Sequence, residues 1–264
     1  MNNKIPNFVK TNQFGLLILV IVFICIFSFS TDGFTSRFNI YALSRVVALD
    51  IMIGLAMMVV ILTGGLNLSL GALGVSAAMF GGWCMESMGI PISITIILVL
   101  AFGSFLGWIN GFVTVRTGVH SFIVTLATMS IYFVFMTLLT EAEAFRKLPE
   151  AFTDFGSLKL FNKYISPLLI ISVLTCFVLY YIFKYTDIGR KLIAAGANPD
   201  AAELSGISVD RMFIYCHMLS GFLAALAGIM LTARIGAAIP SMAGHLGFDW
   251  LLPAFLAPVL GGTL

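Results

Sequence analysis

The sequence predicts an all-α fold, a polytopic bundle of transmembrane helices with about seven complete spans and a partial eighth. Three observations carry this. Of 264 residues, 60% are hydrophobic and 10% charged, whereas soluble domains hold about 45–50% and about 25%. Apolar runs of about 20 residues, enough to cross about 30 Å of hydrocarbon, recur along the chain. In lipid only helices or closed barrels pair every backbone N–H and C=O, and continuous runs of this length are not barrel strands.

The runs are Phe14–Ser30, Leu43–Thr63, Leu68–Met88, Ile90–Val115, Ser121–Thr140, Tyr164–Phe183 and Met212–Thr232, and an eighth begins near Phe248 and meets the end of the chain at Leu264. The first follows a polar tail with Lys4 and Lys10. It is too long for a signal-peptide core and no A-x-A pattern follows, so it is a retained span. The second ends in Thr63-Gly64-Gly65-Leu66-Asn67-Leu68-Ser69-Leu70-Gly71. The two glycines stop the helix, and Asn67 or Ser69 can cap the next. No aqueous loop fits in so few residues. The segment is either a tight turn at the membrane edge or a broken helix lining a path, since irregular backbone at membrane depth needs protein or water around it. No Gly-Lys-Ser/Thr follows, which excludes a phosphate loop. The fourth run carries Gly103, Gly107 and Gly111, and the seventh Gly221, Ala224, Ala225 and Gly228. Such small-residue faces let helices approach closely. Asn110, beside the first of these faces, offers an interhelical hydrogen bond or a substrate contact.

Ionisable groups in or near the runs are few. Arg45 and Glu86 stand near run ends, where Arg45 is expected to snorkel to the interface. Asp50 is deeper and must face protein or water, as a structural pair or hydrogen-bond donor or as part of a transport path. His217 is expected to be a satisfied interhelical donor, because no second His or Cys stands at metal-ligand spacing. Cys25, Cys84, Cys176 and Cys216 form no CxxC pair and are expected as small buried hydrophobes, not as metal ligands or disulfides. No nucleophile–base constellation is visible, and a formal net charge of +2 is too small to suggest nucleic-acid binding.

Two polar stretches interrupt the apolar pattern. Thr140–Tyr164, rich in charge, reads as a solvated cap. Lys184–Arg211 combines charge, Gly, Pro and a short helical pattern. Within it Asn198-Pro199-Asp200-Ala201-Ala202-Glu203-Leu204-Ser205-Gly206 is a complete short helix. Asn198 is a good N-cap, Pro199 suits the first helical position, Asp200 favours the positive end of the dipole, and Gly206 fits the position after the C-cap. About 10 Å of helix is too short to stand alone, so packing on the membrane domain or a partner must hold it. Loop Lys and Arg divide evenly between the two sides, which leaves orientation to the acid-free Lys4/Lys10 tail. That tail favours a cytoplasmic N-terminus and so a cytoplasmic Lys184–Arg211.

This segment resembles a known family. Gly189-Arg190, Ala194-Ala195-Gly196-Ala197-Asn198, Ala201-Ala202 and Leu204-Ser205-Gly206-Ile207 are similar to the cytoplasmic coupling segment of sugar-type ABC importer permeases. These are the ribose/xylose/galactose-type members of the branched-chain permease superfamily. Leu62–Gly71 is similar to the family's G-G-I-D-L-S-V-G, with Asn67 in place of the usual Asp, and Gly221–Arg234 and Val259–Thr263 extend the resemblance over most of the chain. The resemblance implies a single transmembrane permease domain over residues 1–264, with 184–211 as a cytoplasmic coupling loop. It implies a permease subunit that passes a pentose- or hexose-class sugar across the bacterial cytoplasmic (inner) membrane. The implied partners are ABC ATPase subunits, a second permease copy or paralogue, an extracytoplasmic sugar-binding protein and the lipid bilayer. Catalysis is implied to lie elsewhere, with ATP-Mg on the ATPase and no cofactor in this chain, which has no G-x-x-x-x-G-K-S/T.

The residues implied to couple to the ATPase are Gly189, Arg190, Gly196, Asn198, Pro199, Ala201, Ala202, Glu203, Ser205 and Gly206. Candidates for the substrate path are Asn67, Ser69, Asn110 and Thr114, neutral groups able to meet sugar hydroxyls. Family members continue past Gly-Gly-Thr with further helices, so a chain ending at Leu264 is expected to be incomplete at its C-terminus. The competing class is an ATP-independent secondary transporter of a small polar solute. It would want mid-membrane ionisable groups for coupling ions, and only Asp50 and His217 qualify, without an internal-repeat partner.

Overall fold

Every regular element among the described residues, 12–262 of a computed structural model, is helical. The Lys4/Lys10 tail and Thr263 lie outside the described residues. Short links join α1 (Asn12–Ser30), α2 (Arg37–Ile61), α3 (Leu70–Glu86), α4 (Ile92–Thr117) and α5 (Ser121–Leu139). A longer link carries α6 (Glu150–Ser157). Then come α7 (Pro167–Tyr185), α8 (Asp187–Ala197), α9 (Pro199–Leu204), α10 (Val209–Ile235), a 3-10 turn (His245–Trp250) and α11 (Leu251–Gly261).

Five helices, α2, α4, α5, α7 and α10, are long and apolar enough to cross a membrane. The apolar part of α1, Phe14–Ser30, and the unit His245–Gly261 are shorter, and α3 has 17 residues. Helix ends depart from the apolar runs where caps decide. α2 starts at Arg37, not Leu43, because the Ser36 hydroxyl accepts the Asn39 N–H at 3.3 Å. Its polar first turns are invisible to hydropathy. α7 starts at Pro167 behind Ser166, whose hydroxyl accepts the Leu168 N–H at 3.3 Å.

α10 is the axis of the core. It buries 67% of its most apolar stretch, whereas α7 buries 17% and forms an outer wall. The glycine faces are backbone contacts. A Cβ on Gly107 would overlap the His217 carbonyl oxygen, and one on Gly221 the Gly103 carbonyl oxygen, so α4 and α10 touch main chain to main chain. The 3-10 turn dips inward to rest Gly247 on Gly71 and Trp250 on Gly74 of α3, and Gly247 holds a left-handed φ of 80° there.

The link 140–166 is more than a solvated cap. Phe145, Leu148 and Phe152 are buried, Phe145 and Ala238 exchange backbone hydrogen bonds at 2.9 Å, and Gly156 of α6 packs on the backbone of Ala233. Its charged groups point out while Phe145, Leu148 and Phe152 close the core. Two further expectations are corrected. Arg45 does not reach outward: it donates to the Arg234 carbonyl and lies over the Tyr41 ring, 5.5 Å from its centroid, because the open end of α10 supplies an acceptor. Cys84 and Cys216 are buried, but Cys25 and Cys176 are exposed on α1 and α7, on faces that no other helix covers among the described residues. Asp50 is exposed on the surface of the described residues.

Candidate functional site

Residues 184–211 form two helices where a single short one was expected. α8 is capped by Thr186, whose Oγ1 accepts the Gly189 N–H at 3.2 Å. Asp187 in its first turn pairs with Lys191 at 2.6 Å and with Arg190 at 3.6 Å. Lys191 first, then Arg190, hold the Asp187 carboxyl below its ordinary range. The cap and the i,i+4 pair are legible in the sequence as the start of a second helix ahead of Pro199.

α9 is built as its sequence demands. Asn198 Oδ1 accepts the Ala201 N–H at 3.0 Å, Pro199 opens the helix, Ser205 is the C-cap and Gly206 follows at φ 80°. Ala202 is buried, and its carbonyl accepts the Ile207 N–H at 3.0 Å. Pro199, Asp200, Ala201, Glu203 and Ser205 are exposed, as is Arg190 on α8. So is Leu204, at 91%, a residue the sequence reading passed over.

Gly189 and Gly196 anchor the pair. A Cβ on Gly189 would overlap the Ile182 carbonyl oxygen of α7, and one on Gly196 the Leu62 carbonyl oxygen at the end of α2. The coupling candidates thus divide by role: Gly189, Gly196 and Ala202 face the bundle, Asn198, Ser205 and Gly206 shape α9, and Arg190, Pro199, Ala201 and Glu203 face outward.

The Leu62 contact leads into the glycine turn. Gly64 is exposed at φ 76°, and from Asn67 onward the turn is enclosed. Side chains of α5 pair its backbone: Leu66 N–H donates to Ser121 Oγ at 2.9 Å and Leu68 N–H to Thr125 Oγ1 at 3.0 Å. Irregular backbone enclosed in this way requires such partners. Asn67 Nδ2 donates to Ser220 Oγ of α10 at 3.0 Å, and its Oδ1 accepts the Ser69 N–H at 3.1 Å and the Ser69 hydroxyl at 2.7 Å. Asn110 Nδ2 of α4 donates to Ser69 Oγ at 2.8 Å, and its Oδ1 accepts the Tyr132 hydroxyl of α5 at 2.8 Å. The result is a buried clasp, Ser220–Asn67–Ser69–Asn110–Tyr132, that ties the turn to α10, α4 and α5. Ser69 precedes α3 without capping it by its side chain.

The structure therefore brings Asn67, Ser69 and Asn110 together, all fully buried. Thr114 stands apart, its hydroxyl spent on the Asn110 carbonyl at 2.8 Å. His217 bonds through Nδ1 to Phe213 O of its own helix at 3.1 Å, not across helices, and its Nε2 has no hydrogen-bond partner among the described residues. Ser121, Thr125, Tyr132 and Ser220 were missed. A hydroxyl in a span can always bond its own helix, so its presence says nothing of a partner. Tyr132, a mid-span phenol that needs an acceptor, was the available signal. Among the described residues no three His, Cys, Asp or Glu converge as metal ligands.

Residues 39–264 match the family described as "Branched-chain amino acid transport system / permease component". Over all of its length the chain is 34% identical to a ribose import permease of Haemophilus influenzae, covering 81% of that protein. It is 36% identical to the ribose import permease of Bacillus subtilis, over 94% of this chain and 74% of the relative. A fructose import permease of Rhizobium meliloti is 31% identical over 98% of this chain and 73% of the relative. No solved structure matches the chain.

Proposed function

The chain belongs to the family of permease components of branched-chain amino acid transport systems, and on that premise we propose that it is the membrane-spanning subunit of an ATP-driven, binding-protein-dependent sugar importer. The ribose and fructose permeases it resembles support a pentose or hexose as cargo. A bacterial cytoplasmic membrane is the setting this implies. ATP-Mg belongs to partner ATPase subunits and the cargo to an extracytoplasmic binding protein, and a second copy or paralogue supplies the other half of the pathway. α1, α3 and the His245–Gly261 unit join the five long helices to make seven complete spans and a partial eighth. The enclosure of α3 supports its place among them, since a helix surrounded by protein need not match the bilayer in length.

One observation carries the mechanism. The Gly196–Leu62 contact sets the coupling segment directly against the turn that holds the clasp. The outward side of α9, from Pro199 to Ser205 with Leu204 foremost, docks on the ATPase. Closure of the ATPase pushes α8 against the end of α2 and shifts the turn. Asn67, Ser69 and Asn110 then exchange their mutual bonds for sugar hydroxyls, with Thr114 one helical turn from Asn110. Such alternating access needs an element with two arrangements that both partners bias, and the turn with its clasp is that element.

Reconstitution with candidate ATPase and binding protein, with a panel of monosaccharides, tests this. Sugar-loaded binding protein is expected to stimulate ATP hydrolysis and drive uptake. Uptake that proceeds without ATP on an ion gradient would overturn the reading.

A further inference from the structure

One buried atom beside the clasp takes no part in it. His217 is fully buried, and its Nε2 has no hydrogen-bond partner among the described residues. Its Nδ1 lies 3.1 Å from Phe213 O. A carbonyl only accepts, so Nδ1 carries a proton, and in the neutral ring Nε2 is a bare acceptor. A buried polar atom without a partner is costly and calls for a reason.

The clasp loops around this ring. On α10, Ser220 stands about one turn from His217 and begins the chain of bonds through Asn67 and Ser69 to Asn110. Asn110 precedes Gly111, and a Cβ on Gly111 would lie 3.1 Å from the His217 Cβ. Phe213 closes the third side. Its ring centroid is 4.5 Å from that of His217, and its edge would lie 3.1 Å from a Cβ on Gly65 of the glycine turn. Because Nδ1 is tied to its own helix, Nε2 at the far edge of the ring points away from the α10 backbone, into the space these groups enclose.

That space also holds a spare donor. A carboxamide nitrogen carries two protons, and Asn110 Nδ2 makes one hydrogen bond among the described residues, to Ser69 Oγ at 2.8 Å. Its second N–H and the bare Nε2 are a donor and an acceptor on facing helices, both unpaired in the clasped arrangement. The amide can turn without stranding its other partner. The Tyr132 hydroxyl, 2.8 Å from Asn110 Oδ1, also reaches Leu106 O at 2.9 Å.

We propose that His217 is a positioning residue for Asn110 in the second arrangement of the turn. When Ser69 moves away with the turn, the Asn110 amide swings and donates its second N–H to His217 Nε2. The N–H that Ser69 releases is then held towards the pathway instead of re-forming the clasp. The orphan acceptor raises the clasped arrangement relative to the second one, which brings the two close enough in free energy for a partner to shift them. This rests on the chain being a permease whose turn has two arrangements.

Two measurements on the assembled, reconstituted transporter test it. In the first, His217→Leu is expected to keep the thermal stability of the wild type or raise it, since it removes a buried acceptor that has no partner. It is expected to slow uptake and binding-protein-stimulated ATP hydrolysis about threefold to tenfold, the effect of one hydrogen bond made only in the second arrangement. His217→Gln, whose amide oxygen reaches about as far as Nε2, is expected to restore most of the rate. A histidine that only packs gives the opposite pattern, with stability lost and the rate per folded protein kept. In the second, a non-hydrolysable ATP analogue closes the ATPase of the wild type. The nitrogen NMR signal of His217 Nε2 is then expected to move to that of a hydrogen-bonded nitrogen, with a direct nitrogen–nitrogen contact to Asn110 Nδ2. This signal decides alone where His217→Leu does not fold. A His217→Leu transporter with the wild-type rate overturns the inference, as does an Nε2 signal that is hydrogen-bonded before the analogue is added or unchanged after it. Each of these leaves the permease reading standing, whereas wild-type protein that carries no sugar with its partners overturns both.

Discussion

Asn67→Ala removes both ends of one buried amide. The Ser69 N–H, at 3.1 Å from Oδ1, loses that acceptor, and the Ser69 hydroxyl loses its acceptor at 2.7 Å. A buried donor left unpaired costs about 1–3 kcal/mol. The Ser220 hydroxyl, 3.0 Å from Nδ2, loses only an accepted hydrogen bond while its own O–H can still donate to a carbonyl of its helix, so it adds little. Two such donors give a total of about 2–6 kcal/mol, and the interhelical bond to Ser220 adds about 0.6 kcal/mol. Asn67→Asp is the control, since it keeps the shape. Ionised, it accepts from Ser69 and from a rotated Ser220 hydroxyl; neutral, it repeats the donor and acceptor of the amide. Taken up in its neutral form, it is expected to cost less than Asn67→Ala. Denaturant titration of purified protein in mixed micelles, followed by circular dichroism, measures both. If Asn67→Ala matches the wild type, or Asn67→Asp is as damaging as Asn67→Ala, the clasp does not hold the turn.

Other substitutions separate docking from folding. Leu204→Glu and Ala201→Glu are expected to leave the protein monodisperse but cut binding-protein-stimulated ATP hydrolysis at least about tenfold, whereas Ala202→Glu buries a charge and lowers folded yield; equal yields for all would refute the assigned faces. Gly107→Val forces α4 away from the His217 backbone and is expected to destabilise by about 1–3 kcal/mol or more, read as loss of monodisperse protein on heating, and wild-type stability would contradict the backbone contact. Asp187, its carboxyl lowered by Lys191 and Arg190, contributes fully above its unfolded value and loses that contribution only as pH falls through its lowered folded value. Asp187→Asn is therefore expected to leave the pH profile of coupled ATP hydrolysis unchanged from about pH 6 to about pH 9, and a displaced profile in that window would contradict the assignment.

The sequence by itself determined the solvent of this protein and hence its class of structure. A chain so apolar must close every backbone hydrogen bond within helices, and continuous runs mark most of them. It also determined α9, because Asn198, Pro199, Asp200 and Gly206 act on their own backbone, and the glycine faces of α4 and α10, because spacing along one helix needs no partner to be read. Only the tertiary structure decided what the polar residues do. Asn67, Ser69, Asn110, Tyr132 and Ser220 lie far apart in sequence, and a hydroxyl or amide in a span shows no partner until the helices are packed. The same holds for α6 and its link, whose charges mask the buried Phe145, Leu148 and Phe152. It holds for Asp50, whose exposure on α2 is decided by which helices pack around it. Local rules act over one turn of chain and are legible there; which side chains meet is set by helix packing, where main-chain contacts such as Gly196 on Leu62 choose the neighbours.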